Sequence, residues 1–158
     1  MARTPYNNFH AIKYAKDYCG KQDNACGVYL TGDNKSDCAH FLAHCLKAGG
    51  IEIKDTSTNL CPHGLAVRNV DIVAGLNKLA AKFENVFSIE LNDAIVGDVG
   101  FLEHTRPYHA FMVCEPWNSY GDPVSTPKVY AHSSSRCCEK MGTRWKQWFS
   151  DAFRLEDG

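Results

Sequence analysis

Cys38 stands third in the run Ser36-Asp37-Cys38-Ala39-His40-Phe41-Leu42-Ala43-His44-Cys45-Leu46-Lys47-Ala48-Gly49-Gly50. A run that opens on Ser-Asp and closes on Gly-Gly reads as a helix, which puts Cys38 in the first turn. Unpaired backbone N–H groups and the helix dipole favour an anion there, and such a position lowers a cysteine pKa. A thiol hydrolase needs a thiolate, an imidazole that takes its proton, and a polar group that orients the imidazole. Cys38 is the candidate nucleophile. Cys45 lies seven residues on, on the same face but deep in the helix, and reads as core. The imidazoles are His10, His40, His44, His63, His104, His109 and His132. His40 and His44 sit two and six residues beyond Cys38, offsets that do not face it well, so they read as surface or supporting residues. His63 and His104 read as solvated loop residues. His109 opens a strand, and His132 lies on a neighbouring strand, where it could hydrogen-bond His109 and fix its tautomer. The candidate set is therefore Cys38, His109 and His132. The competing reading makes Cys38 a small buried core residue and the histidines packing residues.

The elements around these residues follow from periodicity. Cys38, Phe41, Leu42 and Cys45 recur at i, i+3, i+4 and i+7 and define one inward face of their helix. A first helix is expected over 6–19, with Asn7 or Asn8 as cap and Ala11, Tyr14, Ala15 and Tyr18 on its apolar face. A glycine-rich loop over 20–35 leads to the Cys38 helix. Residues 51–69 read as irregular and are placed at the rim of a substrate groove. A third helix is expected over 70–83, with Val70, Val73, Leu76, Leu79, Ala80 and Phe83 inward. Strands are expected at 87–91, 99–102, 109–115 and 129–133, and a helix in the tail from Thr143. Early helices and late strands predict an α+β fold with an antiparallel sheet, as a single domain over 1–158.

Composition narrows the function. The 158 residues are 44% hydrophobic and 22% charged, with net charge −1 and pI about 6.6. The charge balance argues against a nucleic-acid or anionic-membrane partner. No apolar run approaches the roughly 18 residues that span a bilayer. The N-terminus shows no signal-peptide core, so the chain reads as cytosolic, processed, or exported by a route that uses no such signal. Eight cysteines suggest disulfides, with Cys19–Cys26 and a bridge from Cys61 to Cys137 or Cys138 as candidates. No pair of C-x-x-C units occurs, and Cys61-Pro62-His63 has the wrong spacing for a zinc knuckle. No metal or cofactor is expected.

The helix-borne Asp37-Cys38-Ala39-His40-Phe41, the Gly97-Asp98-Val99 turn, His109 and the late Ala131-His132 occur in the order seen in NlpC/P60-like cysteine peptidases. The chain resembles their amidase branch more closely. That branch shows Asp-Cys-x-x-Phe-x-x-x-Cys-Leu-x-x-Gly-Gly, here Asp37-Cys38, Phe41, Cys45-Leu46 and Gly49-Gly50. The resemblance covers about residues 6–134. It departs at Ala39-His40, where the branch often has Thr-Asn, and at Ala110-Phe111, where a valine is usual. The resemblance implies a papain-like fold with the cysteine helix packed on the sheet. It implies Cys38 as nucleophile, His109 as base and acid, His132 as the orienting residue, and the Cys38 backbone N–H as an oxyanion donor. It further implies amide hydrolysis in peptide or peptidoglycan substrates. A small amidase without wall-binding repeats also fits an exported effector, with an inhibitor or immunity protein as partner. A binding module of the same fold and a thiol acyltransferase are the alternatives.

Overall fold

The computed structural model describes residues 2–30, 37–56, 58–102, 109–116, 127–132, 136–142 and 149–158. Among these, three helices pack on a six-stranded antiparallel open sheet. The helices are α1 (Asn8–Tyr18), α2 (Asp37–Gly49) and α3 (Asn69–Lys82). The strands are β1 (Val86–Ser88), β2 (Val99–Leu102), β3 (His109–Glu115), β4 (Lys128–Ala131), β5 (Arg136–Lys140) and β6 (Phe149–Leu155), in the order β1-β6-β2-β3-β4-β5. The α+β class expected from the sequence is the one observed.

Each helix has local causes. The Asn7 side chain caps α1 by accepting from the His10 N–H at 3.0 Å. At the end of α2, Gly50 adopts a φ of 109°. The Ile51 N–H then reaches the Leu46 carbonyl and the Gly50 N–H reaches that of Lys47, both at 2.9 Å, a Schellman closure. The middle helix is not amphipathic in place. Eleven of its thirteen residues are buried, because α1 covers one side and β3 and β4 another. Reading one apolar face therefore underestimates its burial. On α3 the fully buried apolar residues are Ile72 and Leu76, one turn apart, while Val70 is 60% exposed. Val73, Leu76, Leu79 and Ala80 pack on the core as expected, Ile72 joins them, and only the first-turn Val70 turns to solvent.

The two sheet faces hold different cores. Phe101, Ala110, Met112 and Tyr130 point toward the helices, with Cys38, Phe41, Leu42 and Leu46. Leu102, Phe111, Val113, Val129 and Ala131 form the second face with Met141 and Leu91. The alternation follows the pleat.

Two expectations are corrected, and one segment proves more buried than its composition suggests. The tail is not helical over its described part. Residues 149–155 form β6, which lies between β1 and β2, and Phe153 and Leu155 bury at the two-residue spacing of a strand. The segment over 51–69 is irregular as expected, but it also contributes to the core. Ile51, Ile53, Cys61, Leu65, Ala66 and Val67 are buried, and the segment folds back on itself through an antiparallel bridge between Lys54 and Leu65. The disulfides are Cys19–Cys137 and Cys114–Cys138, which fasten the edge strand β5 to α1 and β3. Cys26 and Cys61 are thiols, not disulfide partners.

Candidate active site

Cys38 lies in the first turn of α2, fully buried, and takes part in neither disulfide. Its neighbour Asp37 is also fully buried and is the hub of this helix end. Asp37 Oδ1 accepts from the Leu30 N–H at 3.2 Å and from Asn24 Nδ2 at 3.1 Å. Oδ2 lies 2.5 Å from His132 Nδ1. Burial pushes the Asp37 carboxyl up, but hydrogen bonds from His132 and His40 outweigh it and hold the group below the usual carboxylate range. From the sequence, Asp37 has no role beyond the start of the helix and the Asp-Cys pair. The sequence signal for its larger role was an acid beside the candidate nucleophile, with a histidine three residues on.

His132 stands just past the end of β4. Its other nitrogen, Nε2, lies 2.6 Å from the Tyr18 carbonyl, and its ring stacks on Phe41 at 4.1 Å. Both ring nitrogens thus face acceptors. The structure therefore brings His132 to the first turn of α2, where its ring contacts Asp37 and Tyr18.

His109 opens β3 and pairs with Leu102 across β2. Leu102 and Phe111 belong to the second sheet face, so strand alternation sets His109 on that face, with α2 on the other. Met112 pairs with Tyr130, and carrying that register on sets His132 level with Ala110. The one-residue offset sends the two histidines to opposite faces. Burial, with the Arg136 guanidinium nearby, lowers the His109 pKa and favours the neutral ring.

A second cluster adjoins Asp37. His40 and His44 are buried rather than on the surface, with Asn24 and Cys26 before α2 and Cys61 after it against their rings. His40 Nε2 lies 3.5 Å from Cys26 Sγ, and His44 Nε2 lies 3.8 Å from Cys61 Sγ. The four donor atoms fall within 4.8 Å of one another and could hold a metal ion. Burial, with His40 beside it, pushes the His44 ring down to about 3, and burial raises the Cys26 thiol to about 11. The signal for His40 and His44 was their i, i+4 spacing, which stacks two imidazoles on one side of a helix. His63 is exposed as expected.

Residues 5–60 match a family model described as "Putative amidase domain". The N-terminal third, with α1 and the Cys38 helix, is thus similar to an amidase-related domain. No curated protein and no solved structure matches the chain.

Proposed function

We propose that this chain is a papain-like cysteine amidase of the NlpC/P60 kind, one unit over residues 1–158, that hydrolyses amide bonds in peptidoglycan peptides through an acyl-enzyme. The observation that supports the reading most is the place of Cys38: the first turn of a buried helix, packed on an antiparallel sheet, inside the stretch that resembles amidases. Cys38 Sγ attacks the carbonyl carbon while its proton passes to His109. The tetrahedral oxyanion accepts from the Cys38 backbone N–H. Collapse expels the amine, which takes the proton from His109, and water then cleaves the thioester to give the acid and the free thiol. A neutral His109 ring suits the role, because one nitrogen then offers a lone pair. Delivering that ring to Cys38 requires the leading end of β3 to turn it to the α2 face. His132 is a positioning residue in this reading, since it ties the end of β4 to Asp37 beside the nucleophile.

The complete burial of Cys38 and the place of His109 on the other sheet face favour a second reading, a non-catalytic binding module. Digestion of purified muropeptides, followed by mass spectrometry of the products, separates the two. The amidase reading expects new amine and acid termini that vanish in Cys38→Ala and fall at least about 100-fold in folded His109→Ala. Transfer to an added amine instead of water identifies an acyltransferase. Binding without turnover by the wild-type chain supports the module.

A further inference from the structure

We propose that Cys26, His40, His44 and Cys61 form a closed structural zinc site that clamps the loops on either side of α2 to that helix. The four residues have the ligand set of a Cys2His2 site, in the order Cys26, His40, His44, Cys61. The donors already lie within 4.8 Å of one another, and two of their edges match those of a filled site. A tetrahedron with metal–sulfur distances of about 2.3 Å and metal–nitrogen distances of about 2.0 Å has S···N edges near 3.5 Å. The observed edges are 3.5 Å from Cys26 to His40 and 3.8 Å from Cys61 to His44. Both imidazoles present Nε2, as two residues one helical turn apart on α2 can do together.

The surroundings agree. His40, His44 and Cys61 are buried, and Cys26 is half-buried. Both cysteines are thiols in a chain that forms two disulfides elsewhere. Zinc would bind two thiolates and two neutral imidazoles, releasing two protons to solvent, so the filled site carries no net charge. Neutrality is what burial demands. Outside the cluster, His40 Nδ1 lies 3.5 Å from Asp37 Oδ1 and 3.2 Å from Asn24 Nδ2. A metal on Nε2 leaves the ring proton on Nδ1, which faces the Asp37 carboxylate at 3.5 Å as an ion-pair contact once the Asn24 amide turns its hydrogens to Asp37. A carboxylate on the far side of a ligating imidazole is the kind of partner that orients the ring. Tyr14 stacks on the His44 ring at 5.8 Å and fixes its plane. Four protein ligands leave no open position, so the ion is structural. Through Asp37 it also braces the helix end that bears Cys38.

The test uses the full chain with its disulfides intact. Metal analysis after purification in zinc-containing medium should give about one zinc per chain. Replacement by cobalt(II) should give the visible bands of a tetrahedral site with thiolate-to-cobalt charge transfer. Cys61→Ser and His44→Ala should lose that spectrum, and Cys45→Ser, a buried thiol outside the cluster, should keep it. Chelation should lower the melting temperature of the wild-type chain, and added zinc should restore it, a readout that stands if the variants fail to fold. A wild-type chain that takes up neither zinc nor cobalt with its thiols reduced would overturn the proposal. So would a Cys26–Cys61 disulfide found by peptide mapping, or an unchanged cobalt spectrum in both ligand variants. None of these results depends on amidase activity.

Discussion

Replacing Asp37 should separate its charge from its hydrogen bonds. The carboxylate is fully buried and receives the Leu30 N–H, Asn24 Nδ2 and His132 Nδ1 within 3.2 Å. Asp37→Ala removes the acceptor and leaves all three groups facing a void. Breaking a buried charged pair from one side costs about 3–5 kcal/mol. Asp37→Asn keeps one acceptor oxygen for Leu30 and Asn24. Its new amide can donate to His132 Nδ1, while the other ring N–H stays on the Tyr18 carbonyl. Only the excess of a charged over a neutral hydrogen bond is lost, about 1–2 kcal/mol. For a chain of this length, each kcal/mol shifts the melting temperature by roughly 2–4 °C. The two variants should therefore differ by about 1–4 kcal/mol, at least about 2 °C in melting temperature, with alanine the lower. The assay is urea unfolding without reductant and at fixed free zinc, so that disulfides and metal contribute equally. Equal loss in the two variants, or an alanine cost under about 1 kcal/mol, would refute the hub described for Asp37.

The two disulfides should not be equivalent. Cys19–Cys137 closes a span of 118 residues and Cys114–Cys138 one of 24. Chain-entropy reasoning gives about 5 and about 3 kcal/mol, so the Cys19→Ser/Cys137→Ser pair should unfold at lower urea than Cys114→Ser/Cys138→Ser. At Gly100 an added Cβ would lie 2.3 Å from the Phe111 ring, so Gly100→Ala should cost about 1–3 kcal/mol in thermal or urea unfolding. The His109 contribution has a sign. Its folded pKa is lowered by burial, with Arg136 adding to it, so the stability it confers is complete above about 6.5 and is lost as pH falls through the folded value. His109→Gln should flatten the pH dependence of unfolding free energy below that point, measured against the wild-type chain at the same pH values.

Much of the architecture was legible because local signals and tertiary packing agreed. Asn7 before α1, Gly49-Gly50 after α2 and the apolar run of β3 mark elements that form within one or two residues of expectation. The misses have physical causes. Residues 149–155 carry Trp145 and Trp148 just upstream at helical spacing, but their hydrogen bonds go to β1 and β2, and pairing between distant strands leaves little local trace. The β5 segment, Arg-Cys-Cys-Glu-Lys, has no apolar alternation, and its two disulfides make up for the small area it buries. His40 and His44 looked like the polar side of a surface helix. Only the long-range approach of Cys26 and Cys61 makes that side interior. The sequence offers Cys38, His109 and His132 as candidates, but not how they are arranged. The one-residue register offset that separates the two histidines is set by strand pairing and not by residue type.

Rapid quenching of the chain with muropeptide, followed by intact-mass and peptide mapping, tests the central claim most directly. The account predicts a transient acyl adduct on Cys38 that is absent in folded Cys38→Ala, together with loss of turnover in that variant. Turnover that survives in Cys38→Ala, or an adduct that maps to another residue, would contradict it.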